Sequence, residues 1–171
     1  MVGWHAFAHI LAGLSGFGAL GDLKPSNLLV DSNLRIKVSD FGLASYGGRQ
    51  GVGSLPYMSP ELLNGGWTSP ESDTYAFAIV IAEILERKRA YADLSSTDIT
   101  DIVGDIFRYP PVRPVVKVDG LPEALVDTMR CCWDNNPSSR RDFLAISTTM
   151  QKLSVGGIGK SLFIRGCVTL G

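Results

Sequence analysis

Asp22-Leu23-Lys24-Pro25-Ser26-Asn27, followed at a short distance by Asp40-Phe41-Gly42, puts two carboxylates, a lysine and a primary amide in two neighbouring segments. Groups of these types can hold a hydroxyl nucleophile, neutralise a phosphate and offer oxygen ligands to Mg²⁺. Taken alone, Asp22 to Asn27 is also what an ordinary polar turn looks like, because Asp, Pro, Ser and Asn all favour turns. The assignment therefore depends on what surrounds the two segments.

Between them lie two apolar strand candidates, Leu28-Leu29-Val30 and Arg35-Ile36-Lys37-Val38, joined by the turn residues Asp31-Ser32-Asn33. A hairpin would hold both segments on one rigid base, as preorganised electrostatics require. Upstream, residues 4–14 read as a buried helix. His5 and His9 lie four apart on it, which is metal-compatible spacing, but no third ligand is near and packing is the better reading. Downstream, the glycine-rich residues 47–53 predict a mobile loop without regular structure. Ser69-Pro70-Glu71 supplies an N-cap, an N1 proline and a first-turn acid for a helix over 73–86. That helix is apolar nearly all round, so it belongs at the centre of a domain. Further helical patterns cover 97–107, 123–133 and 142–152, with the proline-rich link 110–114 between the first two. The expected class is mainly α, with one small β-hairpin.

Bulk properties narrow the function. The 171 residues suffice for one core, and a net charge of -1 without a basic stripe gives nucleic acid nothing to bind. Cys131, Cys132 and Cys167 form no CxxC pair, which favours free thiols and a cytoplasmic setting. The apolar first twenty residues lack the basic n-region of a signal peptide and are too glycine-rich for a membrane span, so no membrane segment is expected.

Asp22-Leu23-Lys24-Pro25-Ser26-Asn27 and Asp40-Phe41-Gly42 resemble the catalytic loop and metal-binding loop of the eukaryotic protein kinases. Ser59-Pro60-Glu61 is similar to that family's Ala-Pro-Glu segment, and Cys132-Trp133 through Pro137 to Arg140 to its C-terminal arginine motif. The resemblance implies that Asp22 accepts or orients the proton of a substrate hydroxyl and that Lys24 neutralises the transferring phosphate. It makes Asn27 and Asp40 the Mg²⁺ ligands, Leu29 the apolar contact under the adenine of ATP, and Gly42 the turn after the metal ligand. Structural support would come from Ser54 bracing Asp22 and Lys24, Glu61 pairing with Arg140, and Asp73 accepting hydrogen bonds from the catalytic-loop backbone. Lys-Pro-Ser-Asn looks Ser/Thr-directed, whereas the Cys-Trp ending looks tyrosine-kinase-like, so a tyrosine-kinase-like Ser/Thr kinase is the expected flavour. Ser45 and Tyr46 are exposed-loop hydroxyls that phosphorylation could use.

The resemblance runs over about residues 8–152 and corresponds to the C-terminal lobe of that fold, making 1–152 a partial kinase domain and 153–171 a weakly structured tail. No part of the 171 residues matches the N-lobe's glycine-rich loop or its strand lysine. The family's His-Arg before the aspartate is Leu20-Gly21 here, and Arg141 stands where a proline is usual. The expectation is weak ATP binding and little activity by this chain alone, with a protein substrate or a regulatory protein as partner. An apolar face would be left where the other lobe packs. The alternative is a pseudokinase or kinase-homology regulatory module, as in receptor guanylyl cyclases. The run 154–161 approaches a P-loop, with Lys160 at the lysine position, but it has serine for the first glycine and follows helical residues.

Overall fold

The computed structural model describes residues 18–33, 36–105 and 107–155, the side chains only as far as Leu153 at the C-terminal end. The helix expected over 4–14 with His5 and His9, Cys167 and most of the P-loop-like run lie outside the described residues.

The hairpin forms as the sequence suggests. Strands β1 (Leu28–Val30) and β2 (Ile36–Val38) pair antiparallel, with Leu28 opposite Val38, Leu29 opposite Lys37 and Val30 opposite Ile36. Five α-helical segments follow: α1 (Pro60–Leu63), α2 (Pro70–Glu86), α3 (Ser96–Asp98), α4 (Glu123–Cys132) and α5 (Phe143–Val155). The described chain is thus mostly helical with one two-stranded antiparallel hairpin.

Helix α2 is the axis of the fold. Ser69 caps it by accepting from the Ser72 N–H at 3.2 Å while the Ser69 N–H donates to the Ser72 hydroxyl at 2.9 Å, a reciprocal capping box. Pro70 at the first turn gives up no helical hydrogen bond, and Glu71 and Asp73 complement the positive end of the helix dipole. The helix starts at Pro70, one turn before the apolar run. From Ser72 to Ala82 every residue is buried. It ends at Arg87, whose φ of 52° breaks the helical path.

Helix α4 packs on α2, and α5 packs on α4. Phe77 of α2 meets Phe143 of α5 edge to face, with ring centroids 6.5 Å apart, and Leu125, Met129, Ile146 and Met150 complete the cluster. Leu20 and Leu23 belong to that same cluster. The two apolar side chains of the Asp22 loop are therefore fixed in the core while the polar ones between and after them face the site. Each fully buried leucine contributes roughly 1.5–3 kcal/mol, so the loop is anchored by ordinary hydrophobic burial.

Two expectations change. Helix over 97–107 is realised only as the short α3 and a wider π-type turn, Ile99–Val103, ending at Gly104. Beyond it Asp105 accepts from the Phe107 N–H through its own side chain, an Asx turn that competes with helix continuation. The glycine-rich loop is not free of regular contacts: Arg49 and Thr68 exchange two hydrogen bonds, and the Gly51 N–H donates to the Gly66 carbonyl at 3.0 Å. It is tied to the segment before α2. Cys131 and Cys132 are free thiols, and burial pushes Cys132 up to about 12, which makes it inert.

Candidate functional site

Asp22 sits where the 22–27 segment meets the segment carrying Ser54. Lys24 Nζ donates to Asp22 Oδ2 at 2.6 Å and to the Ser54 hydroxyl at 2.8 Å, while the Ser54 N–H donates to Asp22 Oδ1 at 2.8 Å. Asn27, which is buried, donates its side-chain N–H to the Asp22 carbonyl at 2.9 Å and stands 3.4 Å from Asp22 Oδ2. Burial acts to raise the Asp22 pKa, but the hydrogen bonds and charge of Lys24 and the hydrogen bonds of Ser54 outweigh it, and the carboxyl is held below its ordinary value. Asp22 is therefore ionised at neutral pH, with its two oxygens held by a lysine and a backbone amide.

The Pro25–Asn27 turn explains why these residues converge. Pro25 starts a single 3₁₀ turn that delivers Asn27 to the first residue of β1, and the Asn27 N–H closes back on the Lys24 carbonyl at 3.0 Å. On the other strand, the Ser39 N–H and hydroxyl both donate to the Asn27 carbonyl, at 2.8 and 3.2 Å. Asp40 is the next residue. The hairpin thus couples the two motifs through one carbonyl, without a direct bond between Asp40 and Asp22, Lys24 or Asn27.

Asp40 is exposed and takes φ 59°, a left-handed backbone that Asp tolerates better than most residues. Its Oδ1 accepts from the Gly42 N–H at 3.2 Å, which closes the tight turn expected of Gly42. Among the described residues a second Asp40 carboxylate oxygen stays uncommitted, as does the side-chain carbonyl of Asn27, whose amide nitrogen is spent on Asp22. The donor set left over is two hard oxygens. Leu29 and Phe41 are each about half exposed, at 54% and 53%, next to these oxygens in sequence.

Supporting contacts are also present. Asp73 at the first turn of α2 accepts from the Leu20 N–H at 2.6 Å and the Gly21 N–H at 3.0 Å. Burial pushes its pKa up to about 6 despite these two donors, and Glu71 adds to the rise. Gly21 takes φ 80°, a conformation that favours glycine, and a Cβ there would crowd Thr68 and Leu43 at 3.3 Å. Leu20-Gly21 therefore fits its place: leucine enters the core and glycine makes the turn that turns both N–H groups onto Asp73. Glu61 and Arg140 form a bidentate pair, both bonds 2.7 Å, with the arginine side chain fully buried.

Sequence reasoning missed Tyr57 and Glu83. The Tyr57 hydroxyl donates to the Glu83 carboxylate at 3.0 Å, and Glu83 also accepts from the Ala90 N–H at 2.7 Å. Burial, reinforced by Glu83, raises the Tyr57 pKa, so the hydroxyl stays a donor. A lone acid inside the otherwise apolar run of α2 was the available signal.

Known proteins bear out the resemblance. The profile of the protein tyrosine and serine/threonine kinase family matches residues 21–150. Ankyrin repeat and protein kinase domain-containing protein 1 of Mus musculus is 40% identical over 146 residues, covering 75% of this chain and 19% of its own length. The dual specificity protein kinase shkD of Dictyostelium discoideum is 32% identical over 140 residues, with 78% and 18% covered. Receptor-interacting serine/threonine-protein kinase 3 of Rattus norvegicus is 34% identical over 137 residues, with 71% and 28% covered. This chain belongs to the protein tyrosine and serine/threonine kinase family, and it spans roughly a fifth to a quarter of the length of these relatives. The family implies ATP and Mg²⁺ as cofactors and proteins as substrates. Among the described residues no helix is long and apolar enough to cross a membrane.

Proposed function

We propose that residues 1–152 are the C-lobe part of a protein Ser/Thr kinase, the half of the domain that carries the phosphoacceptor and metal-binding groups, with 153–171 a tail outside it. Asp22 takes or orients the proton of the substrate Ser/Thr hydroxyl, and Lys24 neutralises the phosphoryl group in flight. Asn27 and Asp40 would hold Mg²⁺ through their two uncommitted oxygens, and the ion would supply charge neutralisation at the phosphates of ATP. Leu29 would lie under the adenine. The observation that carries the reading is the Asp22 carboxylate, held ionised between Lys24 Nζ at 2.6 Å and the Ser54 N–H at 2.8 Å. Ser54 at that brace supports aliphatic rather than phenolic hydroxyls as acceptors.

Supplied alone, the chain is expected to bind ATP weakly and to transfer phosphate slowly or not at all, because nothing in its 171 residues matches the glycine-rich loop and lysine that clamp the phosphates. Misplaced phosphates lose most of the rate that positioning supplies. A cytoplasmic setting follows from the reaction and agrees with the free thiols at Cys131 and Cys132. The second reading, a pseudokinase or kinase-homology regulatory module, rests on Leu20-Gly21. The fit of both residues to their surroundings supports a stable scaffold without the usual His-Arg. Thermal shift with millimolar Mg²⁺-ATP tests the metal assignment: wild type should gain stability and Asp40→Asn should not. Equal shifts in both would defeat it. Transfer of labelled phosphate by this chain, lost on Asp22→Ala, would show that the expected low activity is wrong.

A further inference from the structure

Reached from Asp22 through Lys24, a cleft of about 680 Å³ opens between the catalytic loop, the Leu55–Tyr57 turn and the end of α2. Lys24, Arg87, Lys88 and Arg89 all line it. A helix C-terminus attracts cations, which accounts for a basic residue at this position but not for three in a row around one cavity. The acids nearby are already engaged. Asp22 pairs with Lys24, Asp93 with Lys88 at 2.8 Å, and Glu83 is occupied by Tyr57 and the Ala90 N–H. Arg87 and Arg89 have no hydrogen bond or ion pair among the described residues, although the charge of Arg89 is felt at the Tyr57 hydroxyl.

We infer that this cleft takes an acidic segment of a protein substrate, with Asp or Glu side chains of the segment on Arg87 and Arg89 and its phosphoacceptor hydroxyl at Asp22. The inference rests on the kinase reading for the role of Asp22, and it adds a substrate class that the family match does not give. Guanidinium groups suit the task because each can hold a carboxylate through two parallel hydrogen bonds. Lys24 connects the two places, since it lines the cleft and touches Asp22.

The test is fluorescence anisotropy with three labelled peptides of equal length centred on serine, flanked by Glu, Gln or Lys. The Glu peptide should bind about ten-fold more tightly than the Gln peptide at low salt, and half-molar salt should remove most of the difference. Arg87→Gln with Arg89→Gln should abolish the preference. The charge-reversed pair Arg87→Glu with Arg89→Glu should transfer it to the Lys peptide. Lys117→Gln with Lys152→Gln, which removes as much charge elsewhere, should leave it unchanged. Equal binding of the Glu and Gln peptides, or equal losses from the two Gln double variants, would overturn the inference. Melting curves of each variant confirm folding, and Arg89→Gln alone, expected to give a partial loss, serves if the double variant does not fold. Nucleotide and metal binding at Asn27 and Asp40 is read separately, so failure here and failure of the kinase reading give different patterns.

Discussion

Removing the Glu61 carboxylate should cost more stability than any exposed substitution in the chain. The Arg140 side chain is fully buried and donates to both Glu61 oxygens at 2.7 Å. It also donates to the carbonyls of Asp134 at 2.9 Å and Glu71 at 3.0 Å, and its guanidinium lies 5.2 Å from the Tyr75 ring centre. Glu61→Ala leaves this cation buried without a counter-charge, a loss of about 3–5 kcal/mol in general. The two carbonyls and the ring face retain part of the compensation, so about 3 kcal/mol is expected here. For a chain of this size that lowers Tm by about 6–12 °C. Circular-dichroism melts and urea titrations at pH 7 measure it. Burial alone would raise the Glu61 pKa, but Arg140 outweighs burial and holds it below the ordinary value. The stabilisation is therefore fully present above the unfolded pKa, about 4.3, and fades as pH falls through the lower folded value. The gap between wild type and variant should narrow at pH 3. A double change, Glu61→Leu with Arg140→Met, should cost less than Glu61→Ala, because no charge is left stranded. A single-variant loss below about 1 kcal/mol, or a double variant as costly as the sum of its singles, would refute the argument.

Asp73 should work in the opposite direction. Its pKa is pushed up to about 6, so the folded state binds the proton more tightly than the unfolded one, and stability falls as pH rises from about 4 to 6. The contribution is roughly 3 kcal/mol, and Asp73→Asn should flatten that limb of the stability profile; an unchanged slope would count against it. Ile79 is completely buried on α2, and Ile79→Ala should cost about 2–5 kcal/mol through the cavity it leaves.

Much of this was legible because the signals were local. Ser69-Pro70-Glu71 names its own helix start, and the turn residues between Leu28 and Val38 name the hairpin. The contact between Glu61 and Arg140, 79 positions apart, could be anticipated only through the family resemblance; neither residue announces a partner in its own neighbourhood. The pinning of residues 47–53 to 65–68 was hidden because it uses backbone groups and Thr68, which leave no pattern in sequence. The early end of helix over 97–107 turned on a single Asx turn at Asp105. Gly21 read as a loss in the sequence, since an arginine is usual there; its φ of 80° gives it a structural purpose instead. The cleft lined by Arg87 and Arg89 depended on how the end of α2 meets the catalytic loop, which no window of sequence contains.

In the proposed function Asn27 and Asp40, coupled through Ser39, are the metal end of a phosphoryl-transfer site whose other end is Asp22. NMR of the labelled chain with Mn²⁺-ADP as a paramagnetic probe tests it without requiring turnover. Broadening should centre on Asn27 and Asp40, spread to Leu29 and Asp22, and be abolished by Asp40→Asn. Broadening centred elsewhere, or surviving in Asp40→Asn, would contradict it.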